Sequence, residues 1–298
     1  RKIHREHLNV IRGRLPYFGS LIGCLAGRLL RVPSVVSLGG DNRLPQEREG
    51  RYYFGNRWLS HGMERAVLRL ATAIIVPNRF TLEYVVGVAG ERVRAKVVII
   101  PWVVELPAAN GAAVDCAALG IPADRPIVLI VGHLNRYKYS AEMYEVSVRV
   151  LQRRPAAAHF VFCGDGPLRS EGEARLRERG AHFIGWQPHE TVLELMRTAA
   201  VVLVPMSGFV LLEAAALAKP VVAGAVEWHG EVIVDGETGW LLNPDAADAW
   251  ADRILWILDN RDRAAAVGRR LHDVFQREYS PDRALRCEAD LYERLIEA

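Results

Sequence analysis

Short apolar runs and longer amphipathic stretches alternate along the second half of the chain. "PIVLIVGHL" (126–134) is apolar and β-branched and predicts a buried strand. A helical stretch follows over Ala141 to Arg153. Then come "HFVFCG" as strand, "PLRSEGEARLRERG" as helix, "AHFIG" as strand, "HETVLELMRTA" as helix, "AVVLVP" as strand, a helix around Glu213, and "PVVAG" as strand. Strands alternating with helices of roughly 10–15 residues predict βαβ units and a parallel sheet covered on both faces. Roughly the last sixty residues read as helices. In "YSPDRALRCEADLYERLIEA", Ser280 is the expected N-cap and Pro281 the first helical residue.

The first half is less regular but similar in kind. Its strand candidates are "SVVSL", "AIIVP" and "KVVIIP", with helices near 17–31, 57–71 and 79–88. The predicted class is α/β, with two doubly wound, Rossmann-like domains facing across a cleft, the amino-terminal one incomplete because its strands are too few. The expected divisions are 1–105 for the first domain, 106–125 for a linker without periodicity, and 126–279 for the second. A final helix, 280–298, is expected to pack back toward the first domain.

Glu213 is the anomaly in this pattern. Its neighbours are Leu211, Leu212, Ala214 and Ala215, and a helix that is apolar all round is a buried one. An unpaired buried carboxylate costs several kcal/mol, so Glu213 needs a partner. Just before it, "VPMSGFVLLE" joins a strand to a helix, with Ser207 as the expected N-cap and Gly208 permitting close approach to the backbone. The unbonded N–H groups of such a first turn suit phosphate. Glu213 leans back over Phe209 and Val210, where it can accept hydroxyls of a ribose attached to that phosphate. The competing reading is a core glutamate satisfied by an arginine or a backbone amide.

"VGHLNRYKY" holds the second candidate group. Arg136 and Lys138 follow a strand and its Gly132 turn, and two cations there can neutralise a diphosphate; a solvated loop is the simpler alternative. His133 stands in the same turn. "CGDGPL" reads as structural, with Asp165 as a helix cap and Pro167 in the first turn. His159, His182 and His189 read as surface or strand-edge residues. No metal-ligand spacing, nucleophile elbow or phosphate-binding P-loop is present in the sequence.

Composition adds an asymmetry. The net charge of +3 divides into 17 Lys and Arg against 8 Asp and Glu in residues 1–105, and 21 against 27 in the remainder. Such a basic first half favours a negatively charged neighbourhood. Within it, Arg12, Arg14, Arg28 and Arg31 lie on or beside the apolar helix "YFGSLIGCLAGRLL". That helix either lies on an anionic membrane or packs in the core with its arginines reaching solvent, and core packing is the favoured expectation. The four cysteines (Cys24, Cys116, Cys163, Cys287) form no CxxC pair. With no apolar segment behind the opening "RKIHREH", a cytoplasmic location is expected, with peripheral contact at the inner membrane face as the further option.

Together these segments resemble the GT-B-fold retaining glycosyltransferases, and among them glycosyltransferase family 4 (group 1). "VGHLNRYKY" matches the family's G-R-L-x-x-x-K-G turn and "CGDGP" its G-x-G-P turn. "VPMSGFVLLEAAALAKPVVAG" matches E-G-F-G-L-x-x-x-E-A-x-A-x-G-x-P-V-V, and "HGEVIVDGETGWLL" matches G-G-x-x-E-x-I-x-D-G-x-T-G-x-L. Order and spacing agree over residues 126–245. The resemblance implies that Glu213 holds the donor ribose, that Lys138 faces its diphosphate, and that Gly208 leads the phosphate-binding turn. Lys138 and Arg136 are then the catalytic candidates. Glu213, Gly208, Phe209, Val210, His133 and Ile184 are the candidates for holding the donor. Three departures stand out: Pro205 occupies the family's first glutamate position, His133 replaces an arginine, and Gly39 in "SLGGDNR" replaces a histidine.

The implied function is metal-independent, retaining transfer of a sugar from a UDP- or GDP-sugar to an acceptor hydroxyl, by front-face attack. Glycolipid or cell-surface polysaccharide synthesis is the implied setting. Its expected partners are a nucleotide sugar, a sugar or lipid-linked acceptor and an anionic membrane surface, with no cofactor and no nucleic acid. The rivals are a nucleotide-sugar epimerase on the same fold and a catalytically idle nucleotide-sugar-binding protein.

Overall fold

The structure is a computed structural model that describes residues 9–43, 46, 52–104, 106, 114–206 and 208–297. It falls into two compact units. One takes in the chain up to Val103 together with the last helix, and the other runs from Val104 to Ser280. Part of the predicted linker, residues 107–113, lies outside the described residues.

Unit 1 carries β1 (Ile11–Arg14), α1 (Phe18–Leu30), β2 (Ser34–Ser37), α2 (Arg57–Leu70), β3 (Ala73–Val76), α3 (Arg79–Ala89) and β4 (Val97–Ile99). Its four strands are parallel in the order β1-β2-β3-β4, in register from Ile11 opposite Ser34 to Val76 opposite Ile99. Successive strand residues face opposite sides of a sheet. Val36, Ile74 and Val76 accordingly pack with Cys24, Val67, Leu68 and Val85 of the three helices. Val35, Ala73 and Ile75 pack with Ala284 and Leu291 on the other face. Asn56 and Asn78 cap α2 and α3 by accepting the N–H groups of Leu59 and Thr81 at 3.1 and 2.8 Å.

Unit 2 opens with β5 (Ile127–Val131), α4 (Ser140–Arg153), β6 (His159–Cys163), α5 (Arg169–Leu176), β7 (Ala181–Gly185) and α6 (His189–Thr198). It continues with β8 (Val201–Val204), α7 (Phe209–Ala216), β9 (Val221–Gly224), α8 (His229–Val232), β10 (Trp240–Leu242), α9 (Ala247–Asp259) and α10 (Arg261–Glu278). The six parallel strands run β10-β9-β8-β5-β6-β7, so the winding reverses between β5 and β8. Val128, Phe160, Phe162, Val201 and Trp250 are fully buried in its core. The final helix, α11 (Pro281–Glu297), begins at Pro281 and belongs to unit 1.

Local details differ from the sequence pattern. β1, "IRGR", was not foreseen, because two arginines and a glycine among four residues carry no strand signature. β10, only three residues long, escaped for want of length. Asp165 does not cap a helix. Its carboxylate accepts the N–H of Gly166 at 2.7 Å and pairs with Arg169 at 3.0 Å, while α5 begins only at Arg169. His159 stands at the start of β6, as a strand-edge residue would, but not on the surface. It is 2% exposed, with Nε2 donating to Asp124 at 2.7 Å and Nδ1 bonded to His182 at 3.0 Å.

Unit 1 buries a carboxylate the sequence pattern did not single out. Glu64 is 1% exposed and accepts from Arg43 Nε at 3.0 Å and from the Tyr84 hydroxyl. Burial and the adjacent Glu64 charge push the Tyr84 phenol far above its usual range. Removing the cation leaves an uncompensated buried charge, which costs about 3–5 kcal/mol. Arg43→Met is expected to lower stability by about 3 kcal/mol in urea melts, and Glu64→Gln in the same background to recover part of it. A melt unchanged by Arg43→Met would show that Glu64 does not depend on that pair.

Candidate functional site

In doubly wound sheets, ligands bind beyond the carboxyl ends of the strands where the winding reverses. Here the segments leaving those ends are residues 132–139 after β5 and 205–208 after β8. Gly208 already has helical dihedrals (φ −85°, ψ −75°), and α7 starts at Phe209 without a side-chain hydrogen bond capping it from Gly208. Ser207, the expected N-cap, lies outside the described residues. The amino end of α7, with the positive end of its dipole, lies on this rim. Phe209 is half-exposed there and Val210 buried.

Glu213 sits in a helix buried from Val210 to Ala216 and is itself 8% exposed. Its carboxylate accepts Nε2–H of His189 at 2.9 Å. His189 therefore does not stand as an ordinary surface histidine: it opens α6, the helix that follows β7, and reaches Glu213 across the rim. Its place directly after a strand of the same sheet was the one signal in the sequence. A carboxylate in such surroundings needs a donor, and neither an arginine nor a backbone amide supplies it in any described hydrogen bond.

On the β5 side, Asn135 Oδ1 accepts the backbone N–H of Lys138 at 2.9 Å and closes a turn that sets the lysine in place. Lys138 is half-buried, its Nζ 5.2 Å from the centroid of the Tyr137 ring. Burial pulls its ammonium below the usual lysine range, with the Glu227 charge countering part of that. Tyr137 donates its hydroxyl to Glu227 Oε1 at 3.3 Å, which ties the loop to the segment after β9. Arg136 is exposed on the same loop.

Glu227 escaped the sequence pattern. Counting back from Glu231 along the family's G-G-x-x-E, Glu227 occupies a glycine position, and its φ of 46° is the left-handed conformation that favours glycine. A side chain where the pattern asks for none was the available signal. Gly224 has a different reason to be glycine: a Cβ there would lie 2.2 Å from the Pro205 carbonyl oxygen. The close approach holds the end of β9 against the loop that leads to α7.

The remaining candidates share the rim but have backbone partners. His133 is exposed and donates Nδ1–H to the Asp165 carbonyl at 2.5 Å. Ile184, next to the end of β7, has its carbonyl engaged by Gln187 Nε2 at 2.7 Å. The direct contacts thus link Glu213 to the β7 side and Tyr137, the neighbour of Lys138, to the β9 side. The rim presents a helix start and two cations for an anion, and a carboxylate able to accept hydroxyls. Among the described residues, no group of three or more His, Cys, Asp or Glu is placed to hold a metal ion.

Unit 1 has a cavity of its own, of about 490 Å³, at the carboxyl ends of its strands. Arg12, Arg14, Ser37, Gly39, Trp102 and Glu288 are among the residues lining it. Arg12 is held in place by Ser37 Oγ and the Tyr292 hydroxyl, each at 3.0 Å, and by Glu288.

The depressed Lys138 ammonium has a consequence for stability. Its charged form is disfavoured in the folded state, so the penalty is full below the folded pKa. It vanishes as pH rises past the unfolded value of about 10.4. Lys138→Met is expected to melt no lower than the parent chain at neutral pH, with any gain shrinking toward alkaline pH. A clear loss of melting temperature at pH 7 would mean that Lys138 supports the fold through its charge.

With this geometry, comparison with known proteins is specific. The family model described as glycosyl transferases group 1 matches residues 115–272. The Alpha-D-kanosaminyltransferase of Streptomyces kanamyceticus is 33% identical over 153 residues, which cover 48% of this chain and 39% of that protein. The chain thus spans about two fifths of that relative's length. Among solved structures, sucrose-phosphate synthase from Thermosynechococcus elongatus superposes with a TM-score of 0.77 at 23% identity, over 99% of this chain and 76% of that one. Anabaena HepE in complex with UDP and glucose gives 0.77 at 16% identity, over all of this chain and 80% of that one. At such identities the superpositions establish the GT-B fold, whereas the family match rests on sequence. As that match takes in just over half of its residues, the chain belongs to the glycosyl transferases group 1 family.

Proposed function

We propose that the chain transfers a sugar from a UDP- or GDP-linked donor to an acceptor hydroxyl, with retention of anomeric configuration and without a metal ion. One observation carries this reading. Glu213 is a buried carboxylate with one described donor, placed in the helix whose first turn opens at the reversal of the sheet. In that position it accepts the ribose hydroxyls while the α7 start receives the phosphate. The kanosaminyltransferase relative supports sugar transfer, and the complex of HepE with UDP and glucose supports a nucleotide-linked donor.

Chemistry follows from the charges. The bond between the anomeric carbon and the donor phosphate oxygen breaks, and the acceptor oxygen bonds to that carbon from the same face. The acceptor proton passes to the departing phosphate oxygen. Lys138 and Arg136 stabilise the negative charge that grows there, an interaction stronger in the transition state than in the bound donor. The acceptor is a sugar or a lipid-linked acceptor, and the unit 1 cavity is large enough to hold a sugar-sized group.

Glu213→Ala is expected to weaken UDP or GDP binding by about 1.5–3 kcal/mol, the worth of hydrogen bonds to a charged acceptor, and calorimetry reads it. Equal affinity in the variant would overturn the ribose role. Lys138→Ala is expected to lower kcat more than it raises KM. Turnover is expected to persist in EDTA, with the product anomer seen by NMR matching the donor.

Nucleotide binding is also expected to be linked to protons. An anion beside Lys138 raises its depressed pKa, so affinity falls as pH climbs through the value of the unliganded protein. Calorimetric enthalpies in buffers of different ionisation heat would report the proton uptake, and Lys138→Met would abolish it. Pro205 and Gly39, at positions where relatives carry a glutamate and a histidine, favour a second reading, an idle nucleotide-sugar-binding protein. That reading predicts Glu213-dependent binding with neither transfer nor donor hydrolysis.

A further inference from the structure

The family pattern asks for glycine on two segments that meet at Lys138, and the chain supplies it on neither. The turn after β5 ends in Lys138 and Tyr139 where the pattern has K-G, and the segment after β9 places Glu227 at a glycine position. Both residues nevertheless keep the left-handed backbone that favours glycine, with φ of 55° at Tyr139 and 46° at Glu227. That region is sterically costly for a residue with a side chain, and residues held in it cluster at functional sites.

Glu227 makes two connections to the loop after β5. Its Oε1 accepts the Tyr137 hydroxyl at 3.3 Å. Its charge acts on Lys138, the next residue, against the pull of burial. The other charged groups close to Lys138 in the chain are Arg136, which is exposed, and Glu142, in the first turn of α4. Lys138 Nζ lies over the Tyr137 ring, 5.2 Å from its centroid, and that ring is the one Glu227 holds.

A half-buried ammonium is costly without an anion near it. If it loses its proton, the neutral amine cannot stabilise the charge that grows on a departing phosphate. We propose that Glu227 is the resident counter-charge of Lys138 and acts on sugar transfer through it, as a positioning residue. Before a donor binds, its carboxylate keeps the lysine in the ammonium form and, through Tyr137, fixes the ring over which Nζ lies. The donor diphosphate then takes over as the neighbouring anion. This role rests on the reading of Lys138 as the cation that faces that diphosphate.

The test is calorimetry of UDP and GDP binding to the full chain across pH, in buffers of different ionisation heat. Binding is expected to take up a proton over a pH window set by Lys138. Glu227→Gln removes the charge and keeps an acceptor for Tyr137, and it is expected to move that window to lower pH. Glu227→Gly is expected to move it the same way while melting no lower than the parent chain, because glycine suits the left-handed backbone. Tyr137→Phe removes the hydrogen bond and keeps the charge, and is expected to leave the window in place.

Two kinds of failure are told apart. If neither nucleotide binds with proton uptake, or Lys138→Met keeps the uptake, the diphosphate role of Lys138 fails and the counter-charge with it. An uptake that Lys138→Met abolishes, but whose window stays in place in both Glu227 variants, would overturn the counter-charge alone. So would a window moved as far by Tyr137→Phe as by Glu227→Gln, since the hydrogen bond rather than the charge would then be responsible.

Discussion

A parallel strand cannot return to its neighbour through a tight turn, so each connection must cross the sheet and usually brings a helix with it. Everything functional in unit 2 depends on that constraint. With all six strands parallel, their carboxyl ends share one rim, and each helix that follows a strand begins there. Residues far apart in the chain are thereby assembled. His189 follows β7 and Glu213 follows β8, yet their side chains are 2.9 Å apart. The reversal between β5 and β8 separates the two directions of crossover and leaves the rim open where the α7 start is placed.

Burial of charge is the second organising theme. Among the ionisable groups in poorly solvated places, three show different solutions. Glu213 takes a donor from a histidine that is itself 54% exposed. Glu64 takes two half-buried donors, Arg43 and Tyr84. Lys138 has the weakest support, a neighbouring aromatic ring and the charge of Glu227, and its ammonium is correspondingly depressed. A group left under-compensated in a ligand-binding rim gains most from an incoming opposite charge. Glu64, satisfied within unit 1, reads as structural by the same reasoning.

Unit 1 handles its apolar surface differently. Its sheet is covered on one face by α1, α2 and α3 and on the other by α11, so strand residues of both parities are buried. On α1 itself, Ser20, Cys24 and Gly27 are buried, while Phe18, Ile22, Leu25 and Leu29 are exposed.

By itself the sequence determined the elements and the chemistry of single positions. Runs such as "HFVFCG" and "AVVLVP" can only be buried strands, and "VLLEAAALA" can only be a buried helix with a carboxylate in it, because periodicity and transfer energies are local properties. The motif spacing over residues 126–245 carried the family as well. Tertiary structure alone decided the partners. Nothing local to His189 ties it to Glu213 rather than to solvent, and nothing local to Tyr137 names Glu227, since both pairings arise where separate crossovers meet on the rim. The same reason accounts for β1, whose four residues are a strand only because β2 offers its open edge. It accounts for α1 too. A helix apolar all round reads as buried from its sequence, but which side is covered depends on how many elements stand around it, and that count belongs to the fold.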